Sequence, residues 1–188
     1  MTVQESSFGV AGRHGTYLGS WEIQGVAVTV VGAYLIAVSA HLRVLLPLSP
    51  VPVTAQTLVV LLLGALLGAR RGLLAVGLYL TGGAAGLPVF AGGSLAGPTG
   101  GYLVGFAAAA ALVGALAEIG WTRRPLAAFA VLLLGNAAIY LFGLPWLAGF
   151  VGWNAAAPLG LYPFLLGDGL KLGCAVCFLA ASRRWNQR

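Results

Sequence analysis

Charged positions along the chain come in bunches, and the apolar runs between them have the length of membrane spans. Glu22 to Arg43 encloses one run and Arg43 to Arg70 a second. A helix needs about 20 apolar residues to cross a hydrocarbon core of about 30 Å. Gly72 to Ala117 is 46 residues without a charge. As one helix that run would measure about 69 Å at about 1.5 Å per residue, so it must fold back. The cluster Pro88, Gly92, Gly93, Gly97, Pro98, Gly100 and Gly101 supplies the break. Pro125 to Gly167 needs the same treatment, with its turn over Gly152 to Gly160. Six helices are predicted, over 25–46, 52–68, 72–87, 101–119, 126–150 and 162–182. A polar segment, 1–24, precedes this membrane domain of 25–182, and a basic tail, 183–188, follows it. Val38-Ser39-Ala40 has the small residues of a signal cleavage site, but apolar character resumes at once through Leu46, so the first helix is read as uncleaved.

Composition narrows the class. The chain is 60% hydrophobic and 7% charged, against about a quarter charged in a soluble domain. Collagen-like, disordered and disulfide-scaffold classes also fall, with only two cysteines present. An all-α membrane protein, a six-helix bundle, remains.

The charges also orient it. Arg13, Arg70, Arg71, Arg123, Arg124, Arg183, Arg184 and Arg188 fall on one side of the predicted bundle, against Arg43 near the other. The positive-inside rule places both termini in the cytoplasm. This bias accounts for the net charge of +6 without a nucleic-acid partner. The three outer connections, 47–52, 88–101 and 152–162, are uncharged and rich in Pro or Gly. Such loops suit an ordered cover over an outward-facing pocket, with backbone close to a ligand, or a tight connection with no ligand at all.

Two charges lie within the last span. Asp168 and Lys171 each cost about 2.5–3.5 kcal/mol at a helix centre. Their i, i+3 spacing stacks them on one face, where they partly neutralise each other. If Pro163 opens the helix, Asp168 sits about 7–8 Å inside it, under the outer loops. An internal ion pair is the structural reading; intramembrane charges mark functional sites by default. Asp accepts hydrogen bonds and Lys donates them, so the pair suits a ligand bearing both N–H and C=O or carboxylate groups. Thr54, Gln56 and Ser94 add candidate neutral contacts, and Phe90, Tyr102, Trp146 and Trp153 candidate aromatic ones, with interface anchoring as the alternative for the rings. Arg43 is a candidate carboxylate partner, or snorkels to the interface.

Other patterns carry less. Cys174 and Cys177 form a lone C-x-x-C without the four ligands of a closed zinc site. Gly-x-x-x-Gly spacing at Gly64/Gly68, Gly82/Gly86, Gly101/Gly105 and Gly169/Gly173 implies close helix packing. Ala33 and Ala37 put small residues one turn apart, usable inside the bundle or against a partner. No phosphate-binding loop occurs, so energy for any uptake must come from another chain. No second carboxylate accompanies Asp168 at mid-span, and His14 and His41 are isolated.

Four motifs, in order, resemble a known family: Pro50-Val-Pro-Val-Thr-Ala-Gln56-Thr, Gly86-Leu-Pro-Val-Phe-Ala-Gly-Gly93, Gly97-Pro-Thr-Gly-Gly-Tyr102 and Pro163-Phe-Leu-Leu-Gly-Asp168-Gly-Leu-Lys171. Tyr140-Leu-Phe-Gly-Leu-Pro-Trp146 is similar as well. The family is BioY, the biotin-binding subunits of energy-coupling-factor (ECF) vitamin transporters, and the likeness covers about 26–182. It implies biotin capture from outside with Asp168 and Lys171 on the ligand, and no cofactor besides that cargo. It implies a contact at Gly93 and one at Ser94, the latter a position where relatives often bear Asn; Ser keeps a hydroxyl but loses the paired amide donor and acceptor. Ala33 and Ala37 resemble the patch that docks on a transmembrane coupling protein driven by two ATPases; a solitary or self-associated form is the alternative. The expected place is the cytoplasmic membrane of a prokaryote. Capture of thiamine or riboflavin, a membrane enzyme and a structural bundle are the competing readings, although no nucleophile accompanies Asp168.

Overall fold

The structure, a computed structural model, describes residues 20–186 except Leu48, Gly92 and Gly93. Most of the polar leader, Arg13, Arg188 and the expected contact at Gly93 lie outside the described residues. The elements run α1 (Ser20–His41), β1 (Arg43–Val44), β2 (Val53–Thr54), α2 (Gln56–Ala84), α3 (Gly100–Glu118), α4 (Pro125–Val151), α5 (Trp153–Gly160) and α6 (Leu165–Asn186). Single 3₁₀ turns precede α4 and α6.

Among the described residues, five segments are long and apolar enough to cross a membrane, one fewer than the six expected helices. The second and third expected helices are joined in α2, which reverses inside itself. Gly68 stands at φ 80°, ψ 177°, outside helical space. A Cβ on Gly72 would lie 3.2 Å from Gly64 Cα, whereas eight residues of straight helix separate two positions by about 12 Å. Only glycine takes this φ cheaply. The second arm restarts with Ala69, whose N–H donates to Glu118 Oε1 at 2.9 Å. That carboxylate faces the positive end of the arm it caps.

Two further boundaries differ from expectation. The connection 152–162 is not a loop: Gly152, at φ 83°, ends α4 and α5 follows at once. Three consecutive alanines, Ala155 to Ala157, favour helix there despite Pro158. Arg183 and Arg184 belong to α6 rather than to a separate tail.

Small residues set the helix spacing. In lipid, apolar area gives little drive for helix association, so close contact matters more. A Cβ on Gly64 would come within 2.8 Å of Ala110 O, and one on Gly105 within 2.8 Å of Ile139 Cα. Gly101 packs similarly against Trp146 and Phe142, whereas Gly169 and Gly173 meet nothing. Ile36, Leu61, Val113, Leu132, Ile139 and Leu179 are fully buried between helices, while residues such as Leu126 and Leu166 stand exposed on the outside, as lipid-facing positions do.

The two ends differ in character. At one, the Arg71 guanidinium lies over Gly25 and Arg183 donates to Thr122 O and Oγ1. At the other, β1 and β2 pair as a short antiparallel hairpin, Arg43 opposite Thr54. This end, with Arg43 as its one arginine among the described residues, covers the site. Ser49 Oγ donates to Leu159 O at 2.7 Å, and Trp146 Nε1 to Gly97 O at 2.9 Å, fastening hairpin and loop to the helices.

Candidate functional site

Under that cover lies a cavity open on one side to solvent. Val51, Pro52 and Thr54 of the hairpin form part of its wall, with side chains from α2, α3, α4 and α6 completing it. Most of the lining surface is apolar, and two of its polar side chains, Tyr140 and Lys171, meet on the Asp168 carboxylate.

Asp168 stands in the first turn of α6 and is 5% exposed. A carboxylate there is favoured by the helix dipole. Its Oδ1 accepts from Lys171 Nζ at 3.1 Å, and its Oδ2 from Asn136 Nδ2 at 3.0 Å and from the Tyr140 hydroxyl. An ionised carboxylate offers about four acceptor directions and an ammonium three donors. Three directions on Asp168 are taken. Lys171 spends two donors, the second on Thr57 Oγ1 at 3.1 Å. One acceptor and one donor therefore remain unspent among the described residues, on two side chains that both line the cavity. This is the chemistry anticipated for the pair, although α6 opens at Leu165 and not at Tyr162.

Of the other expected site residues, Thr54, Gln56 and Tyr102 line the cavity with Asp168 and Lys171. Their polar ends are engaged within the protein. Gln56 Nε2 donates to Tyr79 Oη at 2.6 Å, Thr54 Oγ1 accepts from the Gln56 amide at 3.3 Å, and Tyr102 Oη donates to Gly160 O at 2.9 Å. Arg43 and Ser94 do not line it. Arg43 lies past the end of α1 in β1 and donates to Ala91 O, and exposed Ser94 accepts from the Ala96 amide at 3.1 Å. Phe90 stacks edge-on against Tyr79, centroids 5.4 Å apart, while Trp146 holds the cover and Trp153 is exposed. Ala33 also needs correction as a partner surface: it is buried within the bundle, and only Ala37 of that pair is part-exposed.

Asn136, Tyr140, Thr57 and Thr99 were missed. Asn136 and Tyr140 are spaced i, i+4 in an otherwise apolar span, a signal of the same kind that exposed Asp168.

Residues 13–188 match the BioY family. The chain belongs to that family. Among BioY relatives, one from Thermotoga maritima, "Biotin transporter BioY", is 42% identical over 144 residues, covering 73% of this chain and 83% of that protein. "Probable biotin transporter BioY" from Pyrococcus horikoshii is 38% identical over 154 residues, 79% of this chain and 91% of the other. "Biotin transporter BioY2" from Lactococcus lactis is 36% identical over 158 residues, 80% and 85% respectively. A crystal structure described as the S-component for biotin from an ECF-type ABC transporter shares the fold, with a TM-score of 0.79 at 24% identity over 88% of this chain and 94% of that one. The four ordered motifs thus point to the right family. As a BioY chain with several membrane-crossing segments, this is a multi-pass transporter-family protein.

Proposed function

We propose that this chain captures biotin in the cavity beside Asp168 and serves as the substrate-binding subunit of an ECF-type transporter. The single observation that carries the assignment is the unspent acceptor on Asp168 next to the unspent donor on Lys171. A ureido group presents N–H and C=O within one planar unit and suits both: its N–H donates to Asp168, and its oxygen accepts from Lys171. Apolar lining from Phe106, Ile139 and Phe164 suits the rest of a fused-ring ligand. BioY relatives named as biotin transporters support the same reading.

If the two arms of α2 each reach across, the chain crosses six times, an even number that returns it to its starting side. Arginines at 70, 71, 123, 124, 183 and 184 then lie in the cytoplasm and the covered cavity opens outward. The membrane is the cytoplasmic membrane of a prokaryote. Transport energy comes from a transmembrane coupling protein and two ATPase subunits.

The test is competition binding on the detergent-purified chain. Biotin is expected to bind one per chain, with thiamine and riboflavin failing to compete. Preferential retention of either of those vitamins would reassign the cargo, and absence of binding by all three would remove the capture role.

A further inference from the structure

At the end of the bundle away from the cavity cover, the fold draws four arginines onto one corner. Arg183 of α6 donates to Thr122 O and, at 2.9 Å, to Thr122 Oγ1. Thr122 is buried in the 3₁₀ turn Trp121–Arg123. This clasp sets Arg183 and Arg184 beside Arg123 and Arg124, and Arg123, Arg124 and Arg184 are exposed. Glu118, the one acid at this end among the described side chains, accepts from the Ala69 N–H in α2. The one ion pair among the described residues is that of Lys171 with Asp168. Like charges drawn together raise the energy of a fold unless an anion joins them.

Two features identify the class of anion. Positive-inside anchoring is served by lysine and arginine alike, yet the single lysine of this chain is Lys171 in the cavity wall, and Arg70, Arg71, Arg123, Arg124, Arg183 and Arg184 supply the other end. A guanidinium presents a planar fork that meets two phosphate oxygens at once, whereas an ammonium is a point charge. The corner also borders apolar outer surface. Trp121 is 56% exposed, and Leu126, two residues past Arg124, is 83% exposed. Phe129 and Leu133, three and seven positions after Leu126, continue that exposed face along α4. Tryptophan at this level is an interfacial anchor. An anion among these arginines therefore has apolar protein directly beside it, which suits a headgroup carrying acyl chains and offers a soluble anion nothing further.

We propose that Arg123, Arg124 and Arg184 bind the phosphate headgroup of an anionic membrane phospholipid, whose acyl chains run along Leu126, Phe129 and Leu133 of α4. Arg183 holds the turn against α6 and so positions the other three. Anionic lipid gives the cytoplasmic leaflet its negative surface, the side on which the charge bias puts this end. The site is separate from the cavity and needs no biotin.

The test measures melting of the detergent-purified full chain in mixed micelles at fixed ionic strength, with dioleoyl-phosphatidylglycerol or dioleoyl-phosphatidylcholine added in equal amounts. Phosphatidylglycerol at about ten times its half-saturating level should raise the wild-type melting temperature by about 3–6 °C, and phosphatidylcholine by less than about 1 °C. The triple variant Arg123→Gln, Arg124→Gln, Arg184→Gln should lose this difference between the lipids. The triple variant Arg123→Lys, Arg124→Lys, Arg184→Lys keeps the charge without the fork and should retain less than about half of it. Because each variant is read as a difference between two lipids, a change in its own stability cancels. Equal response of wild type to both lipids, or a wild-type response in either triple variant, would overturn the site. An equal shift from inorganic phosphate alone would also overturn it and give the corner to a soluble anion. No arm of the test contains biotin, so this site and the capture reading can fail independently.

Discussion

Asn136 on α4 and Asp168 on α6 are joined by a 3.0 Å hydrogen bond from Nδ2 to Oδ2, with both residues at least nine-tenths buried. The amide takes up one face of the carboxylate, leaving Oδ1 to Lys171 and the cavity. Asn136→Leu removes that donor without shortening the side chain. The variant is expected to lose about 1.5–3 kcal/mol, as for a hydrogen bond to a charged group, and to bind biotin more weakly. Thermal unfolding and calorimetric titration of the purified variant check both effects.

Lys171 compensates a carboxylate that is almost wholly out of solvent. Lys171→Met leaves Asp168 with only the neutral donors Asn136 and Tyr140. Removing one partner of a buried pair costs about 3–5 kcal/mol, whereas replacing both with neutral groups is often close to neutral. The double variant Asp168→Asn with Lys171→Met is therefore expected to melt above Lys171→Met alone, and neither should hold biotin. Parallel melting curves and binding titrations separate the two roles.

Gly68 makes the reversal within α2. Alanine there would hold φ at 80° and place its Cβ 2.2 Å from Glu118 Oε1, the atom that accepts from Ala69 N–H. The backbone term alone is about 1–2 kcal/mol, and displacing Glu118 adds the loss of a cap, about 0.5–2 kcal/mol. Glu118→Ala in the wild-type background should reproduce the second part only. Comparing their melting temperatures tests this division.

Ala33 and Ala37 now separate into different experiments. Ala33→Leu overfills a buried position and should destabilise the chain by about 1–3 kcal/mol. Ala37→Leu enlarges a part-exposed position and should leave melting and biotin binding almost unchanged while weakening co-purification with a coupling protein. Undiminished co-purification would remove Ala37 from the docking face.

Much of this molecule was legible in its pattern of charges. The gaps between arginines gave the spans, and the cost of burying Asp168 and Lys171 marked the site. Arg70 and Arg71 marked one end of the bundle but misplaced the reversal: long basic side chains reach out from a helix, so the second arm runs straight through them and the turn falls at Gly68. Gly152 and Pro158 looked like loop punctuation, although Ala155 to Ala157 carry α5. The inward face of Ala33 was not readable, because α1 is apolar on every side and carries no stripe to orient it. Asn136 and Tyr140 were legible but carried no charge, and so stood out less than Asp168.

Biotin titration of wild type against Asp168→Asn, in the same detergent and at matched folded fraction, tests the central assignment most directly. Asparagine keeps the shape but replaces one acceptor with a donor that opposes a ureido N–H. Wild type should saturate at one biotin per chain, and Asp168→Asn should bind at least about a hundredfold more weakly, the scale of losing a charged hydrogen bond and leaving a buried donor unpaired. Unchanged affinity in Asp168→Asn would contradict the account.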